Sequence, residues 1–270
     1  MQVIECFIES KYDNLALCED GIFYNDNFVA VIDGVTSKGQ IKWDGHTSGY
    51  HAKEMIIRGL GQLKGGETAF EALSYLNTLL YNEYGDNTRF FRDNPEERLQ
   101  ATLVIYSINN KQIWCFGDCQ FIINDEIFID EMKIDILLAE LRSVYLHLES
   151  KQGKTIQQLC AQDTSQDIIF PILKKQFLFS NSDSEYGFCV LDGFCNDYNK
   201  AVIKEVPQDS LLVLASDGYP KLMPTLELSE IELENLKIND PLCINIYKST
   251  RGWTNGKKSL DDRAYIRFKA

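Results

Sequence analysis

The sequence predicts an α+β fold in which antiparallel sheets are layered with helices. Short apolar runs bounded by Asn, Asp and Gly stand early, in the middle and at the end of the chain. Two amphipathic helical stripes sit together between the early runs and the middle ones. Strands and helices are thus segregated rather than alternating, which disfavours a doubly wound parallel sheet.

Runs at 3–8, 21–24 and 28–32 read as the first strands. The first helix is expected over about 47–63. Its Ala52, Met55, Ile56, Gly59, Leu60 and Leu63 fall at helical steps and form one stripe. A second helix is expected over about 68–84, with Phe70, Leu73, Leu76, Asn77 and Leu80 on one side. Runs at 101–108, 112–116, 120–123 and 127–129 then read as a meander. Asn109-Asn110 and Asn124-Asp125 suit its hairpin turns. A third amphipathic stretch covers about 134–148, and shorter helices are expected near 156–161 and 228–236. Strands at 210–215 and 263–268 complete the set. No Pro/Gly/Ser-rich linker and no repeat divides the chain. The mixed patterning of 130–184 reads as a variable inserted segment.

The 270 residues carry 40 acidic and 27 basic side chains, a net charge of −13. That balance argues against a nucleic-acid partner, because a phosphate backbone demands a basic face. It argues equally against docking on an anionic membrane. No apolar run approaches the roughly 18 residues of a membrane span. The N-terminus lacks the basic start and apolar stretch of a signal peptide. A soluble cytoplasmic protein is expected. The eight cysteines form no Cys-x-x-Cys and no His/Cys zinc pattern. They read as buried reduced thiols, Cys6, Cys115 and Cys189 among them. Cys18 adjoins carboxylates that would raise its pKa, so it reads as inert.

Several apolar runs end in aspartate. They are 28–33 ending Asp33-Gly34, 114–118 ending Gly117-Asp118, and 211–217 ending Asp217-Gly218. Asp261-Asp262 opens the last strand, and Glu19-Asp20 precedes the hairpin leading to Asp33. Strand ends in a rigid sheet hold side chains firmly. Carboxylates with carbonyls and water suit a hard cation, Mg²⁺ or Mn²⁺. A single Asp-Gly is usually a turn; the ordered set across the chain carries the argument.

This set resembles the metal-dependent protein phosphatases of the protein phosphatase 2C family. The matching stretches are Cys18-Glu19-Asp20, Val31-Ile32-Asp33-Gly34, Thr102, Gly117-Asp118, Leu214-Ala215-Ser216-Asp217-Gly218 and Asp261-Asp262. Gly45-His46-Thr47-Ser48-Gly49 with Ala52 looks like the family's close-packing helix start. The match runs nearly end to end, so it implies one domain over 1–270. It implies a four-layer αββα sandwich, two antiparallel sheets flanked by helices, holding two Mn²⁺ or Mg²⁺ ions. Carried over by motif, Asp33 would bridge both ions. Asp217 and Asp261 would complete one shell, Glu19 and the Gly34 carbonyl would serve the other, and Asp118 would bind outer-shell water or a weaker third ion. Asp33, Asp118 and Asp217 would form the catalytic set. A metal-bridging hydroxide would attack a phosphoserine or phosphothreonine of a phosphoprotein partner.

The chain departs from that pattern in places. Leu15 stands where many members carry a phosphate-binding Arg; Lys11 is the nearest substitute. Val35 replaces a His after Asp-Gly, and His46 is a stand-in proton donor against a plain loop role. Lys221 replaces a second Asp, and 36–44 looks inserted. Gly252 to Ser259 has one residue too few between its glycines for a P-loop. Arg251, Lys257 and Lys258 there could touch phosphate. No Gly-x-Ser-x-Gly elbow points to a serine hydrolase. Three functions fit these residues: an active serine/threonine phosphatase, a pseudophosphatase acting as a binding or regulatory module, and a metallohydrolase of small phosphoesters.

Overall fold

A computed structural model describes residues 1–254 and 256–270. Two five-stranded sheets, antiparallel at every pairing, form its centre. One runs in the order β1 (Gln2–Glu9), β10 (Arg263–Lys269), β9 (Leu211–Ala215), β6 (Gln120–Ile123), β7 (Glu126–Phe128). The other runs β2 (Asp20–Tyr24), β3 (Phe28–Gly34), β4 (Ala101–Ser107), β5 (Gln112–Phe116), β8 (Val202–Glu205).

Strand alternation sorts the core into layers. Val29 and Val31 of β3, with Val104 and Tyr106 of β4, face the space between the sheets. There they meet Phe121, Leu212, Leu214, Ile266 and Phe268 of the opposite sheet. The intervening Ala30, Ile32, Leu103 and Ile105 face helices instead. Both faces of β3 and β4 are covered, so residues 28–32 and 103–106 run without a charged side chain or a small hydroxyl. Each such buried side chain contributes about 1.5–3 kcal/mol relative to exposure, which makes these strands the rigid frame of the site.

Helices α1 (Ser48–Leu60) and α2 (Ala69–Glu83) pack Ala52, Ile56, Leu60, Leu73, Leu76 and Leu80 onto that outer face. Thr47 caps α1 by accepting from the Tyr50 amide, and Thr68 with Glu71 forms a capping box on α2. The start of α1 touches the end of β3 directly. A Cβ on Gly34 would stand 2.3 Å from the Gly49 carbonyl oxygen, so only glycine permits this approach. On the far side, Tyr219, Leu222 and Leu226 cover Ile122, Val213 and Tyr265. Leu226 opens α7 (Leu226–Asn239). The result is the expected order of helices, sheet, sheet and a thinner outer cover.

The 130–184 segment folds as α4 (Lys133–Lys151), α5 (Ile156–Ala161) and α6 (Gln166–Lys175). Three elements were not expected from sequence: α3 (Thr88–Asp93), α6 and β8. α3 is six residues long, has no side-chain cap and buries only Phe91. α6 holds Pro171 inside the helix, which reads as a breaker. β8 is a mostly exposed edge strand. Asn124 takes a φ of 55° at its hairpin, as its turn requires. Cys6 corrects the thiol expectation: it is exposed, because β1 is an edge strand with one open face. Cys115 is buried, Cys189 is half-buried, and all eight cysteines are free. No described helix is long and apolar enough to cross a membrane.

Candidate metal centre

The inter-sheet face opens at one end, and the aspartates stand there. Asp20 pairs with Asp33 across β2 and β3, and Asp33 pairs with Thr102 across β3 and β4. By alternation Asp33 shares its face with Val31 and Val29, so it points into the inter-sheet space. Gly117, at φ 103°, lets the chain fold over Thr102, whose methyl carbon would lie 2.3 Å from any Cβ at 117. That turn delivers Asp118, which accepts from the Thr102 hydroxyl at 2.8 Å. Asp217 follows β9. The strand end is fixed because Ser216 exchanges two hydrogen bonds with Ala264 of β10, at 3.1 and 2.9 Å.

These carboxyls destabilise one another. Burial pushes Asp33 well above the usual carboxylate range, and the charges of Asp20, Asp217 and Asp118 add to it. Burial raises Asp20 likewise; Asp262 and Asp217 add, while the Ser216 hydroxyl opposes. Asp118 is pushed up to about 7 by burial and then by Asp217, against the Thr102 hydrogen bond. Asp20 is sealed at 2% exposure, whereas Asp33, Asp118 and Asp217 keep some access to water.

Glu19, Asp261 and Asp262 form a second group, and it is already matched with cations. The Lys11 ammonium lies 2.8 Å from Glu19 Oε2 and 3.3 Å from both Asp261 Oδ1 and Asp262 Oδ2. It also donates to the Thr36 hydroxyl at 2.9 Å. Arg251 pairs with Asp261 Oδ2. Asp262 accepts from the Lys11 amide at 2.7 Å and the Glu19 amide at 2.9 Å, which ties three chain segments together. Gly34 is buried; its amide donates to the Glu19 carbonyl at 3.1 Å, and its own carbonyl lies against Gly49.

Two cavities open on the aspartates. One, of about 230 Å³, is lined by Lys11, Lys38, Arg251 and Lys257 together with Asp33, Asp118 and Asp217. The other, of about 420 Å³, shares Asp118, Asp217 and Arg251 and adds Asp130, Glu131 and Asp135. Burial and the neighbouring Arg251 and Lys11 charges lower Lys38 to about 8. Lys257 falls to about 8 for the same reasons, with Lys38 adding.

Lys38 and Asp135 were not singled out from sequence, and Asp20 was passed over for Glu19. Strand parity carried a signal for Asp20, since 20 and 22 share one face of β2. Lys38 had none. Its loop is held because Glu97 accepts from the Gln40 and Ile41 amides, at 2.8 and 2.9 Å, and Trp43 stacks on His51. Leu15 is 57% exposed in a 3-10 turn. Lys221 points outward to Glu232 at 2.9 Å, and Lys258 outward to Glu9 at 2.9 Å. His46 stacks on Tyr50 and lines neither cavity. His51 meets Glu83, and His147 meets Ser143 and Asn245. Cys18 is buried and pushed up to about 12, first by burial, then by Asp20. The loop after Gly252 buries Trp253 against Leu233 and Leu236 of α7; its Asn255 lies outside the described residues.

The donors suit a hard divalent cation: all are oxygens, and Asp20 Oδ2 is buried with no hydrogen-bond partner. Among the described residues, no three ligating side chains are drawn closely enough to hold an ion as they stand.

The sequence matches no protein-family model and no curated protein. The fold is similar to solved structures over its whole length at low identity. The catalytic domain of the serine threonine protein phosphatase PstP, in complex with two manganese ions, shares 14% identity at a TM-score of 0.48, with 100% of each chain covered. RsbX in complex with magnesium shares 13% at 0.47, with 99% of this chain and 98% of that one covered. Stp1 from Staphylococcus aureus, a serine/threonine phosphatase, shares 17% at 0.45, with 100% and 95% covered. At such values the reading of the site rests on its own geometry.

Proposed function

We propose that the protein is a metal-dependent phosphomonoester hydrolase acting on phosphoserine or phosphothreonine of proteins. One observation carries this reading. Four carboxyls, Asp20, Asp33, Asp118 and Asp217, converge at one end of the two-sheet interior beside a basic cavity mouth. Their mutual repulsion is relieved by protonation or by a divalent ion such as Mn²⁺ or Mg²⁺. A divalent ion held there would polarise a phosphoryl oxygen and lower the pKa of water from about 15.7 toward about 7.

The chain's own residues supply the rest. Lys38, Arg251 and Lys257 crowd their charges around the mouth, so a phosphate dianion relieves repulsion on entering. They stand in for the arginine that Leu15 replaces. Thr102 orients Asp118 by its 2.8 Å hydrogen bond. Phe170, Phe177 and Phe188 wall the mouth with apolar surface and limit water.

The test is hydrolysis of an aryl phosphate and of phosphoseryl and phosphothreonyl peptides with Mn²⁺, Mg²⁺ or chelator, beside Asp33→Asn and Asp217→Asn. Metal-dependent release of phosphate that both variants abolish is expected. Turnover of the small ester alone would place the substrate among small phosphoesters. Phosphopeptide binding without turnover would favour a pseudophosphatase, the second reading, for which the Lys11 and Arg251 pairs on Glu19 and Asp261 speak.

A further inference from the structure

The two halves of the carboxylate site differ in how they are neutralised. On the Asp33 side, the carboxyls face one another, and Asp20 Oδ2 has no partner. On the Glu19 side, both oxygens of Asp261 and of Asp262 are taken, and Glu19 gives Oε2 to Lys11 while its buried Oε1 has no partner. Asp261 Oδ1 accepts from Lys11 Nζ at 3.3 Å and from the Asp262 amide at 2.9 Å, and Oδ2 meets Arg251. Asp262 Oδ1 accepts from the Ser10 hydroxyl at 3.2 Å and the Lys11 amide at 2.7 Å. Its Oδ2 accepts from the Glu19 amide at 2.9 Å and lies 3.3 Å from Lys11 Nζ.

Lys11 is built in. It is 5% exposed, its amide donates to Asp262, and its carbonyl accepts from the Lys258 amide at 3.0 Å. Its ammonium has three protons and four oxygens within 3.3 Å, from Glu19, Thr36, Asp261 and Asp262. Those oxygens come from three separate stretches of chain, as a metal's ligands would. The resemblance gives Glu19 to one ion and Asp261 to the other, and the single ammonium holds both Glu19 Oε2 and Asp261 Oδ1.

We infer that the Lys11 ammonium is a resident cation that keeps Glu19 and Asp261 from metal, so that this protein takes a single Mn²⁺ or Mg²⁺, among Asp20, Asp33, Asp118 and Asp217, where the resemblance implies two. The inference rests on the metal-dependent reading above, and ion counting separates the two. Calorimetric titration and elemental analysis with Mn²⁺ should give one ion per chain in the unaltered protein. Lys11→Met, which keeps length and removes charge, should take two. A count of zero in the unaltered protein overturns the metal reading and this inference together. A count of two overturns the inference alone, and so does one ion in both proteins. A second measurement needs no variant: reductive methylation of lysines read by mass spectrometry. Lys11 should stay unmodified with and without Mn²⁺, while Lys258 reacts. Lys11 becoming reactive on adding Mn²⁺ would show that the ion displaces it, and would overturn the inference.

Discussion

Asp20 shows at a single residue how the site trades stability for function. Its carboxyl is raised above the value of 3.8 it has in an unfolded chain, chiefly by burial. Between those two values the folded protein holds a proton that the unfolded chain has released, so stability falls as pH rises through that window. In chelator, Asp20→Asn is therefore expected to raise Tm at pH 7.5, by about 2–4 °C for each kcal/mol recovered. The gain should vanish near pH 4, where both side chains are neutral. A melting series from pH 4 to 8 checks this; an unchanged or lower Tm at pH 7.5 would contradict it. Lys38 and Lys257 make a kinetic prediction. Lys38→Met or Lys257→Met should raise KM for a phosphopeptide about tenfold, equivalent to about 1.4 kcal/mol, with kcat changing less. Asp33, Asp118 and Asp217 were legible in sequence because a strand, a turn and an aspartate fall together. Lys38 was not, because nothing in an irregular loop says which way a lysine points. Nor could spacing tell Glu19 from Asp20, since that choice depends on pairing with Asp33.

At the scale of elements, one buried arginine joins the 130–184 segment to the site. Arg142 of α4 is fully buried, pairs with Asp163 at 2.7 Å, and donates to the Leu242 carbonyl at 2.6 Å and the Ser249 carbonyl at 3.0 Å. It thus fixes the loop that carries Arg251. Arg142→Met would leave Asp163 buried without its cation, a loss of about 3–5 kcal/mol, visible as a lower urea midpoint. A change under 1 kcal/mol would mean the loop is held elsewhere. Long stripes such as α1 and α2 declared themselves through periodicity. α3 did not, because its order comes from Phe91 stacking on Tyr84 and packing beside Trp43. The Trp43 contact joins distant segments, which local pattern cannot register.

Across the whole molecule, charge is unevenly placed. The chain's −13 includes Asp130, Glu131 and Asp135, which line the larger cavity beside the basic mouth. A phosphate seated among Lys38, Arg251 and Lys257 would have its flanking residues against those acids. Peptides with Lys or Arg flanks should give the higher kcat/KM at low salt, with the preference shrinking as ionic strength rises. Acidic-flanked peptides turning over faster at low salt would refute this. The layered architecture was legible from segregated strands and helices, while the cavity walls were not, because they come in part from the 130–184 segment, whose patterning is mixed, and in part from irregular loops.

The ties from Ser10 and Lys11 to Asp262 span 252 and 251 positions of sequence. A ribosome must therefore add 251 residues after Lys11 before the Lys11 amide can meet Asp262. Until then β1 lacks its partner β10, and the Glu19 side of the site lacks the acids that close it. Nascent chains stopped short of Asp262 would carry unpaired strand edges and an open cleft, the state most exposed to chaperones and to aggregation. The geometry that confines Lys11 thus doubles as a checkpoint on synthesis: no finished cleft exists before the last strand is made.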